Sequence, residues 1–554
     1  MTGAKACIEA LKKEDVNVIF GIPGGSTLPI YDELLDSGIR HILVRHEQCA
    51  AHMADGYARA IGRQGVCLAT SGPGATNLVT GIATAYMDSS PVIGITGQVS
   101  RPFIGRDAFQ EADIVGITAS VTKHNFQLEK TDEIPSTFKA AFKIAIAGRP
   151  GPVIIDIPKD IQINETNFEV SKERELHYVG QEIKPPIIQI RKASKLLRDA
   201  ERPMILVGGG AKISGASQEI ETLAELLKAP VSMTLMGKGC LHENHPLFVG
   251  MVGMHGRPYT NHLINEADVI LAVGCRFSDR TTCSINDFAK NADIIHIDID
   301  PSEIGKNVDI DIPIVGDAKR VLKTIINNIP NSSRKDTSKW TERIEKLRKT
   351  FARQEKEGTF VRPSQLLKRL RKLIPPETIV TTDVGQHQMW AALNFDVYQS
   401  GTFISSGGLG TMGFGFPAAL GAKVAKPKLP VFNLAGDGSF LMSGQELACS
   451  VNEKIPVTTI IFNNGVLGMV AQWQRLFYNK RYSGINLKGS PDFVKLAEAY
   501  GAAGLRAESY EEFEKAVKEA LSNEVTTVID VPMSSEENVF PMVAPGKALT
   551  EILT

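Results

Sequence analysis

Short apolar runs alternate with stretches of helical spacing along most of the 554-residue chain. In the first part the runs are VIFGI, HILVRHE, GVCLAT, PVIGITG and, at Pro152 to Pro158, PVIIDIP. Each reads as a strand, with a helix expected between it and the next. The segment NETNFEVSKERELHYVGQEIKPP that follows is polar and nearly aperiodic, and reads as a linker. A second block, from about Pro185 to Ile329, carries PMILVGG, PVSMT, VILAVG and IIHIDID. Next comes NSSRKDTSKWTERIEKLRKTFARQEKEG, charged with helical spacing, expected as an exposed helix bridging domains. A third block with the same strand–helix rhythm as the first runs from Pro363 to the C-terminus. This order predicts an α/β fold of three doubly wound domains with mainly parallel sheets. The domains are placed at 1–165, 185–330 and 360–554, with linkers at 166–184 and 331–359. Length agrees, since ~150–200 residues per domain gives about three domains.

Composition adds exclusions. Hydrophobic residues make up 43% of the chain, as expected of a soluble protein, and the formal charge is −1 without any long basic or acidic run. Nucleic acid and anionic membrane are therefore not expected as partners. The seven cysteines are scattered and form no CxxC, so they read as reduced packing residues. The chain opens on an amphipathic helix, MTGAKACIEALKKEDV, without a signal-peptide pattern or an 18-residue apolar span. Cytoplasm is the expected location.

Candidate chemistry lies in the third block. Leu429 to Ala435 reads as a buried strand, Phe440 to Glu453 as a helix and Val457 to Phe462 as a second strand. Gly436-Asp437-Gly438 follows the first strand, and after a gap of 24 residues Asn463-Asn464 follows the second. If the strands are neighbours, Asp437 and Asn464 converge where open α/β sheets bind ligands. Two hard oxygens there suit Mg²⁺, and the glycines leave room for a phosphate against bare backbone. Gly-Asp-Gly alone would be only a turn. Ser71-Gly-Pro-Gly-Ala-Thr-Asn77 is another glycine-rich turn and lacks the lysine of a nucleoside-triphosphate loop. VGGGAKISG fails the dinucleotide fingerprint, so an NAD site is not expected.

GDGSF, the gap and NN resemble the diphosphate-binding motif of thiamine diphosphate (ThDP) enzymes, and the three-block layout resembles their pyrimidine, middle and diphosphate domains. The resemblance implies that Asp437, Asn464 and the backbone of Val466 hold Mg²⁺, which holds the cofactor. It places Gln386, His387, Gly410, Gly436, Gly438 and Ser439 around the diphosphate, and Met412 beneath the bent cofactor. Glu47, in RHEQ…ADGYAR, matches the glutamate that hydrogen-bonds the aminopyrimidine and favours its imino tautomer. Alone, Glu47 would simply suit a helix N-terminus. Gly25, in FGIPGGS, could bring a backbone N–H to a developing oxyanion. Sites of this family lie between subunits, so an obligate dimer at least is expected.

DAFQEADIVGITASVTKHN, GRPGPVIIDIPKDIQ, GMHG, RFSDR, HIDIDPSEIGK and NNGVLGMVAQWQ resemble the catalytic subunits of the acetohydroxyacid synthase family. That implies decarboxylation of pyruvate and ligation of the hydroxyethyl carbanion to a second 2-oxoacid, pyruvate or 2-oxobutyrate, for branched-chain amino-acid synthesis. Trp473 would favour the extra methyl of 2-oxobutyrate and Arg280 would take the second acid's carboxylate, while Phe109, Gln110 and Lys159 would line the channel. The middle block would bind FAD in a non-redox role. The residues implied are Arg149, Gly208, Gly209, Gly210, Thr234, Leu235, Met236, Gly253, Met254, His255, Gly274, Arg276, Asp298 and Asp317. Ser278, Arg106, Ser100 and Cys49 depart from the family's usual Asp, Thr, Pro and Gly, and Pro545 stands where plant members carry Ser. A regulatory small subunit is a possible partner. The alternatives are another ThDP enzyme, such as a catabolic acetolactate synthase or pyruvate oxidase, and an inactive binding protein on the same fold.

Overall fold

Three six-stranded sheets, all parallel, account for eighteen of the strands. The computed structural model describes residues 1–167, 185–330, 335–352 and 361–554; most of the expected linker 166–184 lies outside them. The first sheet holds β1 (Val18–Ile22), β2 (Arg40–Leu43), β3 (Gly65–Ala69), β4 (Val92–Gln98), β5 (His124–Gln127) and β6 (Val153–Pro158), in the order β2-β1-β3-β4-β6-β5. The second holds β7 (Pro203–Val207), β8 (Val231–Met233), β9 (Phe248–Met251), β10 (Val269–Val273), β11 (Asp293–Asp298) and β12 (Ile312–Val315). Its order, β9-β8-β7-β10-β11-β12, is that of dinucleotide-binding folds. The third holds β13 (Ile379–Thr382), β14 (Phe403–Ser405), β15 (Val431–Gly436), β16 (Thr458–Asn463), β17 (Ala503–Arg506) and β18 (Thr527–Pro532). Its order, β14-β13-β15-β16-β18-β17, repeats that of the first sheet strand for strand.

The central strands are apolar throughout because helices cover both faces; every residue of β3, β4, β7 and β10 is buried. The order of each sheet reverses between two neighbours: β1 and β3, β7 and β10, β13 and β15. Ligand crevices of open α/β sheets open at such points, beyond the carboxyl ends of the strands. Sequence glycines and candidate polar residues gather there in all three domains.

The first and third domains meet through two helices, Glu47–Ile61 and Gly415–Ala425. Ala50, Ala51, Ala54 and Ala58 are all buried, as their small-residue spacing predicts. A methyl on Gly56 would come 2.1 Å from the Ala418 carbonyl oxygen, and one on Gly421 would come 1.9 Å from that of Met53. Only glycine permits this backbone approach.

Two helix expectations change. Phe440 to Glu453 is not one helix: Asp437–Phe440, a 3₁₀ turn at Gly444–Glu446 and Leu447–Asn452 follow one another. Gly444 and Ser443 weaken helical continuity, and the break buries Glu446 against the first domain. The charged segment is helical over Ser338–Thr350 but not exposed on all sides. Its Trp340, Ile344 and Leu347 are buried on the middle domain, Trp340 Nε1 donates to the Pro203 carbonyl at 3.1 Å, and Arg343 pairs with Glu266 at 2.6 Å. All seven cysteines are free, and six are buried.

Candidate active site

β15 and β16 are neighbours, with Gly436 in register with Phe462. Asp437 and Asn464 therefore stand just past two adjacent strand ends. Asp437 is 2% exposed; its Oδ1 accepts the Gly438 N–H at 3.0 Å and its Oδ2 accepts the Gly465 N–H at 2.7 Å. Burial pushes its carboxyl up to about 6, against the pull of those donors. Asn464 Oδ1 accepts the Val466 N–H at 3.1 Å, and its Nδ2 donates to Gln386 Oε1 at 3.3 Å. Gln386 Nε2 donates in turn to Gln472 Oε1 at 3.0 Å and to the Glu537 carbonyl at 2.8 Å. Ser439 Oγ accepts from Gly436 N–H at 3.1 Å and closes the turn. Methyls on Gly438 would strike Leu467 and Leu487.

The His387 ring lies between two glycines: a methyl on Gly385 or Gly436 would come within 3.1 or 3.0 Å of it. Its Nε2 is buried without a hydrogen-bond partner among the described residues, and burial lowers the imidazole to about 3, so the ring is neutral. The glycine walls leave room for a phosphate against bare backbone, and the orphaned ring nitrogen lines that crevice. Opposite runs the bend between β14 and Gly415–Ala425, with Gly410 at φ +71° and half-buried Met412. Asp383, unassigned from the sequence, secures that bend by accepting the N–H groups of Gly413 at 2.8 Å and Gly415 at 3.0 Å.

In the first domain Glu47 opens its helix, and its Oε2 accepts from Asn77 Nδ2 at 2.9 Å. Asn77 ends the glycine-rich turn after β3, so that turn orients Glu47. Gln110 packs on the same turn: a methyl on Gly72 would come 2.8 Å from the Gln110 carbonyl oxygen. Gln110 itself has φ +62°, and Phe109 beside it is 89% exposed. Lys159 follows β6 directly and begins Lys159–Ile163. The two glycines after β1 differ. Gly24 donates to Thr27 Oγ1 at 3.3 Å and would collide with Thr70 if it bore a methyl, so it serves the turn. Gly25 is exposed with nothing near its α-carbon face. Among the described residues, no hydrogen bond or ion pair joins Glu47, Gly25, Phe109, Gln110 or Lys159 to Asp437, Asn464 or Val466.

The middle domain presents a backbone cradle. Gly208 and Gly210, after β7, press against Gly274, after β10, so that a methyl on Gly208 would lie 2.1 Å from the Gly274 carbonyl oxygen. Gly209 faces Met236, which follows Thr234 and Leu235 past β8. Asp298 ends β11, and burial raises its carboxyl to about 6. Asp317 caps Ala318–Asn328 and accepts from Ser214 Oγ at 2.7 Å, a structural task. Gly253, Met254 and His255 follow β9: the Met254 N–H donates to the Arg280 carbonyl at 2.9 Å, and His255 Nδ1 lies 3.3 Å from the Pro541 carbonyl.

Arg280 and Trp473, from different domains, meet. The guanidinium carbon is 5.9 Å from the centre of the Trp473 ring, and Nη1 is 3.2 Å from the Met254 sulfur. Trp473 lies on Gly468–Phe477, the helix just after Val466, and faces an open cleft of about 980 Å³ shared with Met469, Phe477 and Tyr482. A second junction was not expected from the sequence. Asp88 accepts from Gly407 N–H at 3.2 Å, Gly408 N–H at 2.7 Å and Arg59 Nη2 at 3.1 Å. Beside it Arg276 donates to the Met87 carbonyl at 2.7 Å, and Arg149 donates to Ser89 Oγ at 2.9 Å while pairing with Glu303 at 2.9 Å. The loop leading to Met412 is thus held by the first domain, which the middle domain grips at the residues on either side of Asp88.

The chain is similar along its length to known proteins. Residues 1–117, 190–325 and 383–531 match the N-terminal TPP binding domain, the central domain and the C-terminal TPP binding domain of thiamine pyrophosphate enzymes. A "Probable acetolactate synthase large subunit" of Methanocaldococcus jannaschii is 53% identical, over 100% of this chain and 95% of its own. The "Acetolactate synthase large subunit" of Cyanidium caldarium is 46% identical over 100% and 96%, and the "Acetolactate synthase" of Mycobacterium bovis is 46% identical over 100% and 91%. With its thiamine-diphosphate-type crevice and full-length likeness to these proteins, the chain belongs to the thiamine pyrophosphate enzymes and, among them, to the acetolactate synthase large-subunit family.

Proposed function

We propose that the protein joins pyruvate to a second 2-oxoacid, giving 2-acetolactate or 2-aceto-2-hydroxybutyrate in branched-chain amino-acid synthesis. The meeting of Arg280 with Trp473 next to the helix that follows Asn464 carries this reading. The guanidinium offers a two-pronged site for a carboxylate, and the indole offers an apolar wall for a short alkyl group. A pyruvate oxidase or an inactive binding protein has no use for that second-acid pocket.

The residues of the third domain fit thiamine diphosphate with Mg²⁺. Asp437, Asn464 and the Val466 carbonyl would hold the metal, and the Gly436–Ser439 turn with Gln386, His387 and Gly410 would hold the diphosphate. When bound, the cofactor supplies the carbon nucleophile and electron sink for decarboxylation. Glu47, fixed by Asn77, would hold a proton at the pyrimidine ring, and Met412 would keep the cofactor bent. Gly25, Phe109, Gln110 and Lys159 would line the substrate entrance. The backbone cradle at Gly208–Gly210 and Gly274, with Arg149, Thr234, Leu235, Met236, Asp298 and Arg276, fits FAD in a structural role. Gly253, Met254 and His255 would face the flavin from the Arg280 side, and Asp317 would act only from behind. Exposed Phe109 and the open Gly25 support a site completed by a second copy of this chain. The relatives' designation as large subunits supports a regulatory small subunit, and we place the protein in the cytoplasm. No helix among the described residues is long and apolar enough to cross a membrane.

Glu47→Gln tests the reading. Acetolactate formation should fall by about 10²-fold or more, the scale of a lost general acid–base. Near wild-type formation from pyruvate would overturn it.

A further inference from the structure

Glu446 lies in the 3₁₀ turn Gly444–Glu446, in the segment that begins at Asp437, and is fully buried. Its carboxylate crosses into the first domain. Oε1 accepts the N–H of Arg45 at 2.9 Å and the N–H of His46 at 3.1 Å, the two residues immediately before Glu47. On the other side Asn77 holds the Glu47 carboxylate, and the His46 ring caps the helix through the Gln48 N–H at 3.1 Å. Glu47 is therefore gripped from in front by a side chain and from behind by an acid of another domain.

A simple interdomain tie would not need an acid. Two N–H groups can be satisfied by an amide or a carbonyl, and a buried carboxylate costs more than either. Oε2 has no hydrogen-bond partner among the described residues, although it is buried. The facing charged and titratable groups are Arg45 and Cys49 from the first domain and Cys449 from the helix that follows the turn. Burial raises both thiols, so neither ionises near neutrality. Burial also raises the Glu446 acid, to about 7, while the Arg45 N–H, the Cys49 thiol, the Arg45 charge and the His46 N–H draw it down. An ionised acceptor binds N–H groups about twice as strongly as a neutral one.

We infer that Glu446 is a positioning residue for Glu47: it fixes the backbone of Arg45 and His46 so that the Glu47 carboxylate stays aimed at the cofactor's pyrimidine ring. This rests on the reading of Glu47 given above. Loss of the acceptor lets the start of the helix move, and small displacements of a proton-transfer group are costly.

The test compares Glu446→Ala, Glu446→Gln and Glu47→Gln in the full-length protein. Three readouts are taken: amide hydrogen exchange at Arg45 and His46 in the cofactor-free protein, thiamine diphosphate affinity, and exchange of the bound cofactor's C2 proton. In Glu446→Ala, protection of the two amides should fall about tenfold or more. C2-proton exchange should slow by about tenfold to 10²-fold, with cofactor affinity little changed. Wild-type protection should fall as pH rises from about 4.5 through about 7, because opening the contact solvates the carboxylate, and Glu446→Gln, which keeps an acceptor but cannot ionise, should show no such step. The glutamine variant keeps the test open should the alanine variant fail to fold. Unchanged C2 exchange in Glu446→Ala, or an unchanged pH step in Glu446→Gln, overturns the inference. If Glu47→Gln also leaves C2 exchange intact, the reading of Glu47 itself fails; if only the Glu446 variants do so, this inference alone fails.

Discussion

In the proposed function, Trp473 and Arg280 would divide the work of recognising a second 2-oxoacid between an apolar plate and a cation. Replacing Trp473 by Leu should therefore lower the preference for 2-oxobutyrate over pyruvate by about 5- to 100-fold, the worth of one buried methyl contact. Competition between the two acids in one assay measures this; an unchanged product ratio would remove Trp473 from the pocket. Glu446 makes a second residue-scale prediction. Its acid is raised to about 7 in the folded protein from the ordinary value of about 4.5, so the folded state binds the proton more tightly. Its contribution to stability is fully present below about 4.5 and is lost as pH rises through about 7. Chemical denaturation across pH 4.5 to 8 should thus show wild type losing stability relative to Glu446→Gln as pH rises; parallel curves would argue against a raised acid. The places of Glu47 at a helix start and of Asp437 and Asn464 past two adjacent strand ends were legible in the sequence because their motifs are local. Asp383, Asp88 and Glu446 were not, because each acts on backbone N–H groups far away in the chain, which no spacing announces.

Apolar runs made the strands legible, since a parallel strand buried on both faces has no polar positions to confuse it. Helices were read less well. The expected helix from Phe440 is divided because Ser443 and Gly444 allow the chain to turn and bring Glu446 beneath Arg45. Ser338–Thr350 carried its apolar stripe in plain view at Trp340, Ile344 and Leu347, but abundant charge suggested exposure. The tightest packing belongs to the pair Glu47–Ile61 and Gly415–Ala425. Gly421→Ala would push a methyl into the Met53 carbonyl, and overpacking of this kind costs ~1–3 kcal/mol or more when backbone cannot move. Urea denaturation should show that loss; unchanged stability would mean the two helices can part without cost. The same substitution should slow C2-proton exchange, because the first helix begins with Glu47.

At the scale of the molecule, the loop Ser405–Gly413 of the third domain is held by Asp88 and Arg59 of the first and packs on Met236 of the middle one, while Arg276 ties the middle domain to Met87 beside Asp88. Asp88→Asn would replace one acceptor oxygen by a donor facing the Gly407 and Gly408 N–H groups. Thiamine diphosphate affinity should fall by about tenfold, the worth of one to two hydrogen bonds, and calorimetric titration would show it; unaltered affinity would mean that the loop is held without Asp88. The first and third sheets share one strand order, and Glu47–Ile61 and Gly415–Ala425 occupy the same place in it, between the second and third strands. These two helices run antiparallel: Gly56 meets Ala418 where Met53 meets Gly421. Setting Gly56 equivalent to Gly421 makes Met53 equivalent to Ala418, so each contact turns into the other. The chain thus carries an approximate dyad through its own centre. In that register Glu47 corresponds to Met412: one scaffold, used twice, brings an acid to this point in one half of the chain and a thioether in the other.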